Sequence, residues 1–470
     1  MNFDINTFGM LAGSLLPYYL LRKNWRPYVL LFCSCLYCWF LSPQALFCVL
    51  AVTFVYYLLG IALERLPYLR ILFAAATACG IGALLFLKNV PLLQSIASEG
   101  SLLARIVLPL GFSYYMFQAI SYLADIRAGK IKAETNFCLF ALYMLWFPKF
   151  LSGPIERAGD FLSQLRALPE VRLFEKDRIM VSLRYLLYGF FLKIMIAERL
   201  SPLTEKLFAD PGAYSAPWLF LGMLFYTLEL YCDFAGYSYV AVGISHLFGI
   251  DIRVNFRMPY LAVNISDFWR RWHITLSTWL KDYLYIPLGG SRKGTGRKYL
   301  NLMIVFVACG LWHGGGGCFL IWGLLHGAYS VLCDLARRKG WKWLTEGFTG
   351  WLLTFAGVNL AWIFFRVPNL SHGLVYIKRM LLDHEGVAVF AAQAQDLGAD
   401  AWFWGILLLS LAVVLIWEVL SERKHLLAPE GLGAIGELGG GLCFYALLMG
   451  MLIFGIYGVE ASHEFIYMNF

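Results

Sequence analysis

The sequence runs to 470 residues, of which 60% are hydrophobic, 17% aromatic and 14% charged, with a formal net charge of +8. An ordinary soluble domain carries roughly 25% charged residues, and a mean hydropathy of +0.66 makes lipid the solvent for most of this chain. A soluble globule, a disordered chain and a transmembrane barrel are all excluded, because long apolar runs in place of alternation leave helices to do the spanning.

The first apolar run follows MNFDINTF, which has an acid and no positive n-region, so it reads as the first span and not as a cleaved signal peptide. Runs near 5–21, 27–41, 44–63 and 70–87 are separated by Leu21 to Arg26, a Ser42-Pro43 turn, and Glu64 to Arg70. The run near 103–123 leads to a third basic loop, Asp125 to Lys132. Placing the three basic loops in the cytoplasm puts the N-terminus outside. Further runs lie near 137–151, 180–197, 215–249, 299–333, 350–365, 401–420 and 438–458. At about 20 residues each, these predict an all-α polytopic membrane protein with roughly 11 to 13 transmembrane helices in one domain, residues 1–470. The basic segment Ser421 to Leu427 then precedes a last span that delivers residues 459–470 to the outside. The cations fall between apolar runs, so the +8 charge reflects topology and not nucleic-acid binding. The cysteines sit almost entirely in apolar stretches without zinc-like spacing, so neither a disulfide framework nor a metal site is expected.

Between Asn255 and Gly294 the hydropathy drops. Arg270, Arg271, Lys281, Arg292 and Lys293 interleave there with Trp269, Trp272, Trp279, Tyr283 and Tyr285. The mixture suits an interfacial or re-entrant element; an ordinary cytoplasmic loop with an aromatic belt would show the same composition. His273 lies in this segment. Forty residues on, His313 sits in CGLWHGGGG, within a run otherwise apolar enough to enter the bilayer. An ionisable residue at that depth is costly and points to function, and imidazole is the usual proton carrier near neutral pH. The competing reading is a buried neutral histidine satisfied by a carbonyl. No P-loop spacing occurs, and GGSRKGTG at Gly289 to Gly296 does not supply one.

The stretches FWRRWHITLSTWLKDYLYIPLGGSRKG and LWHG resemble the membrane-bound O-acyltransferase family, in its bacterial alginate O-acetyltransferase-like branch. Supporting stretches are Leu108 to Ile126, Phe147 to Ala158, Tyr231 to Ile250, Asn255 to Tyr260 and Trp362 to Val367. The resemblance implies a central membrane tunnel with residues 255–333 as catalytic core, His313 as principal catalytic histidine and His273 as the second characteristic polar position. Tyr239 departs from the family pattern, which commonly has an acid there, and this touches only a secondary contact. Acyl transfer from a thioester to a hydroxyl requires a base, a positioned acceptor and donors for the oxyanion. His313 fits the base. Acetyl-CoA is the implied donor substrate, with no permanently bound cofactor, and Arg270, Arg271, Lys281, Arg292 and Lys293 could hold its phosphates at the cytoplasmic mouth.

The chain closes on FIYMNF, Phe465 to Phe470, a Phe-x-Tyr-x-x-Phe pattern that resembles a terminal motif of envelope acyltransferases and of the small peptide partner of teichoic acid D-alanylation. Phe465 and Phe470 would anchor the tail while Tyr467 serves as acyl relay; the plain alternative is an aromatic tail against the bundle. The resemblance further implies a bacterial inner membrane protein with both termini extracytoplasmic. It also implies an extracytoplasmic SGNH-hydrolase-like acetyltransferase partner and a polysaccharide acceptor. His326 is a second-rank candidate on the His313 stretch. His463 is expected to be an exposed polar residue, and His246, His372, His384 and His425 lie by loops or helix ends. D-alanyl transfer is a related alternative. A transporter or flippase, coupling protons through the intramembrane histidine, is the alternative of a different class.

Overall fold

The computed structural model describes residues 5–66, 70–90, 108–172, 175–314, 316–383, 387–424 and 437–457. Every regular element among them is helical, as expected where lipid leaves no other way to satisfy backbone polar groups. In chain order the helices are α1 Ile5–Leu20, α2 Arg26–Leu41, α3 Pro43–Arg65, α4 Arg70–Lys88, α5 Phe112–Arg127, α6 Phe137–Leu145 and α7 Ala158–Ala167. Next come α8 Lys176–Phe191, α9 Glu198–Ala209, α10 Ala216–Leu247, and the short α11 Ile265–Arg271 and α12 Ile274–Leu280. The remainder are α13 Thr295–His313, α14 Gly317–Arg338, α15 Gly347–Arg366, α16 Leu370–Leu382, α17 Val387–Asp396, α18 Ala401–Lys424 and α19 Glu437–Phe454.

Seven helical stretches among the described residues are long and apolar enough to cross a membrane: Pro43–Arg65, Ile71–Lys88, Lys176–Ala209, Ala216–Leu247, Gly317–Arg338, Gly347–Arg366 and Ala401–Val419. The run-based count of 11 to 13 treats every apolar run as a span, and the fold shows why runs and spans differ. Helix α6 has nine residues, about 14 Å of helix against a hydrocarbon core of about 30 Å, and its interior is core. Helix α5 is buried along nearly its whole length, from Phe112 to Ile126. Apolarity in these two serves packing inside the protein.

Helix α10 is the axis of the bundle, buried over most of its 32 residues and packed against α8, α9 and α15. Helices α13 and α14 form a hairpin that packs on α15 and on α11. Two glycines let the hairpin close: a Cβ on Gly310 would meet the Phe319 carbonyl oxygen at 2.4 Å, and one on Gly323 would meet the Phe306 carbonyl oxygen at 2.4 Å.

The basic loops gather on one face. Glu64 accepts from the Ala133 N–H at 2.9 Å, Arg166 pairs with Glu134, and Lys130 pairs with Asp125 at 3.1 Å. Tyr283 donates to Asp125 at 2.7 Å, and Arg157 pairs with Asp282 at 3.1 Å. Arg26, at the end of the first basic loop, is buried and donates to the carbonyls of Leu168 and Val171 at 2.9 and 2.7 Å. The second basic loop is thus bonded to the edge of the third through Glu64 and Ala133, and the first is tied to the segment after α7 through Arg26.

Candidate active site

The local chain around His273 is built from polar anchors within a hydrophobic surround. Asn264 caps α11 by accepting from the Asp267 N–H at 2.9 Å, and its Oδ1 also receives Arg337 at 2.7 Å. Helix α11 stops at Arg271, and His273 then takes a left-handed φ of +42° before α12 begins. Such a backbone in a non-glycine residue costs free energy and persists only where its surroundings hold it. Here the holder is the segment from Asn255 to Arg257. The Arg257 N–H donates to the Arg271 carbonyl at 3.0 Å, the Ile274 N–H to the Asn255 carbonyl at 2.9 Å, and the Thr275 hydroxyl to Asn255 Oδ1 at 2.6 Å. Tyr239, the departure from the family pattern, is buried and donates to the Phe256 carbonyl at 3.2 Å. It thus ties α10 to the segment that fixes His273, which is itself 1% exposed and edge-on to Phe234 at 4.8 Å.

His313 is the last residue of α13 and is 3% exposed. Its ring stands 4.5 Å from that of Trp312, 4.9 Å from Phe365 and 5.1 Å from Trp322, centroid to centroid. The Trp312 ring also approaches that of His273, at 6.2 Å. Both histidines are thus buried beside one indole. His326 lies beyond Trp322, 4.8 Å away, fully buried among aromatic rings that include Trp269 at 5.0 Å.

The five proposed phosphate-binding cations lie outside this core. Arg270 and Arg271 both pair with Asp267, at 3.1 and 3.0 Å. Lys281 is exposed at the start of a π-helical turn, Lys281–Tyr285, and Arg292 and Lys293 are exposed in the loop before α13. That loop is held by Asn301, which donates to the Gly290 carbonyl at 2.9 Å. The adjoining ends of α13 and α14 are stitched by Lys298 with Asp334 at 2.5 Å and by Arg338 with Thr295 at 3.0 Å. A basic rim therefore stands at one end of the hairpin and His313 at the other. The remaining described histidines are structural: His246 bonds Asp251, holding that carboxyl below its ordinary range, and His372 bonds the Phe208 carbonyl at 2.7 Å. Among the described residues no group of three or more His, Cys, Asp and Glu side chains is arranged to hold a metal ion.

The sequence model of the membrane-bound O-acyltransferase family matches residues 103–369, which contain every element of this site. The chain belongs to that family. It is 38% identical over 282 residues to a probable alginate O-acetylase of Azotobacter vinelandii, covering 60% of this chain and 55% of the relative. It is 37% identical over 304 residues to a peptidoglycan O-acetyltransferase of Helicobacter pylori, covering 59% and 57%. A teichoic acid D-alanyltransferase of Streptococcus thermophilus is 31% identical over 250 residues, covering 49% and 58%. The chain spans about half the length of the curated relatives it matches.

Within this membrane-bound O-acyltransferase, the rings of His273 and His313 both approach Trp312. The sequence reading gave no role to Trp322 or Tyr114, although Phe319, Trp322, His326 and Tyr329 recur at helical spacing on α14 and mark one aromatic face. Tyr467, the terminal hexapeptide, His463, His384 and His425 lie outside the described residues.

Proposed function

We propose that this chain is a bacterial inner-membrane O-acyltransferase that takes an acetyl group from a cytoplasmic thioester and exports it for O-acetylation of a cell-envelope or secreted polysaccharide. The observation that carries this reading is the pair His273 and His313 bridged by Trp312 at the inner end of a hairpin whose outer end is basic. Imidazole is the group suited to taking a hydroxyl proton, and it stands where water is excluded. Acetyl-CoA is the proposed donor, its phosphates drawn to the rim carrying Arg270, Arg271, Lys281, Arg292 and Lys293.

In the proposed step His313 accepts the proton of the Tyr467 hydroxyl while the oxygen attacks the thioester carbonyl carbon. The C–O bond forms, the C–S bond breaks, and the proton passes from His313 to the departing thiolate. The tyrosyl ester then faces the outside, where an SGNH-hydrolase-like partner moves the acetyl group to a polysaccharide hydroxyl and Tyr467 regains its proton. The acetylating relatives support an acetyl cargo, at 37–38% identity against 31% for the D-alanyltransferase.

The test is the base-labile acetate on envelope polysaccharide of cells whose only copy is wild type, His313→Ala or Tyr467→Phe. Both variants are expected to lose the acetate at unchanged protein level. Retention in Tyr467→Phe overturns the relay, and retention in His313→Ala overturns the acyl-transfer reading.

A further inference from the structure

Four aromatic rings close on His313. Two are the phenylalanines Phe319 and Phe365, which offer only apolar surface. The other two are Trp312 and Trp322, both edge-on to the imidazole. The indole Nε1 of each is buried and donates to no acceptor among the described residues. The same is true of the hydroxyl of Tyr114, whose ring meets Trp312 edge-on at 5.9 Å. A buried donor without an acceptor costs about 1–3 kcal/mol, and folded proteins keep few of them. Trp269, Trp362 and Trp417 also hold buried indole N–H groups without an acceptor among the described residues, but Trp312 and Trp322 are the ones whose rings meet His313, and Tyr114 adjoins Trp312.

Acyl transfer creates such an acceptor. When a hydroxyl oxygen attacks a thioester carbonyl, the C=O π pair moves onto oxygen and a full negative charge forms for the lifetime of the tetrahedral intermediate. In a site walled by phenylalanine that charge needs fixed N–H or O–H groups, and donors already in place need no reorganisation as it forms. Lys88 adds to the effect, with Nζ 5.8 Å from the centroid of the Trp312 ring, where its charge attracts both the indole face and an adjacent anion.

We propose that Trp312 and Trp322, assisted by Tyr114, are the oxyanion donors of the acyl-transfer step. This rests on the acyl-transfer reading above. The indole N–H groups receive the carbonyl oxygen as the C–O bond forms. They release it when the π pair returns and the C–S bond breaks, with the hydroxyl proton carried by His313 to the thiolate. Neither indole gains or loses a proton.

The experiment replaces each indole by benzothienylalanine, which keeps the bicyclic shape and substitutes sulfur for N–H, and separately by 5-fluorotryptophan, which keeps the N–H. Tyr114→Phe and His313→Ala run beside them. Benzothienylalanine at the exposed Trp341 serves as control for incorporation. The readout is the rate of base-labile acetate deposition per unit of membrane-inserted protein. Benzothienylalanine at either indole is expected to lower the rate about 100-fold, with 5-fluorotryptophan restoring it to within about threefold and Tyr114→Phe costing about 10-fold. A purely packing role gives the two isosteres equal rates. Benzothienylalanine at both positions within about twofold of wild type, with His313→Ala inactive, overturns the proposal. A fully active His313→Ala overturns the reading beneath it, and the proposal falls with it.

Discussion

A left-handed φ at His273 is sustained by a side chain eighteen residues upstream, because Asn255 both accepts from the Thr275 hydroxyl and presents its carbonyl to the Ile274 N–H. Asn255→Ala removes one acceptor and leaves the Thr275 hydroxyl without it in a buried site, an effect of about 1–3 kcal/mol. The expected outcome is a lower apparent melting temperature in detergent together with reduced transfer, since the ring of His273 shifts with its backbone. A variant with unchanged melting temperature and unchanged transfer would show that the anchor is dispensable. The histidines themselves were legible in the sequence, because an imidazole in an apolar run is costly and therefore informative. Their donors were not, because a tryptophan beside a membrane-buried histidine reads equally as core or as interface belt. Only the fold shows that the Trp312 and Trp322 indoles have no acceptor among the described residues.

At the scale of helices, the α13–α14 hairpin is the element that sets the site. Its close approach depends on Gly310, whose hypothetical Cβ would stand 2.4 Å from a backbone carbonyl that no rotamer change can move away. Gly310→Val is expected to destabilise the protein by about 1–3 kcal/mol and to abolish transfer by moving His313 and Trp322 apart, checked by thermal unfolding and acetate release on one preparation. Gly316→Ala, where a Cβ meets open space, is expected to leave stability within about 0.5 kcal/mol of wild type. The long apolar helices were legible from run length, whereas Ala158–Ala167, Glu198–Ala209, Leu370–Leu382 and Val387–Asp396 fell outside every run. The distinction between a span and a buried helix was not, because α5 and α6 are apolar for the same reason a span is: neither meets water. Periodicity cannot separate a helix surrounded by protein from one surrounded by lipid.

For the molecule as a whole, the sequence assigns its basic loops to one side of a membrane by their shared charge, and the fold brings Glu64 of the second loop within a hydrogen bond of Ala133, next to the third. The rim at the outer end of the α13–α14 hairpin is expected to attract a polyanionic donor through the exposed Arg292 and Lys293. Arg292→Gln with Lys293→Gln should raise the apparent KM for acetyl-CoA several-fold at low ionic strength. The difference should shrink as salt approaches physiological strength, where the screening length is about 8 Å. A KM equal to wild type at low salt would move the donor's phosphates elsewhere.

The measurement closest to the central claim is mass spectrometry of purified, membrane-reconstituted protein incubated with acetyl-CoA, with the C-terminal peptide isolated from wild type, His313→Ala and Tyr467→Phe. Acetyl ester on Tyr467 in wild type and on neither variant is the expected result. Wild-type protein that deposits acetate on polysaccharide in cells yet never carries an acetyl group on Tyr467, even when hydrolysis is quenched by acid, would contradict the relay.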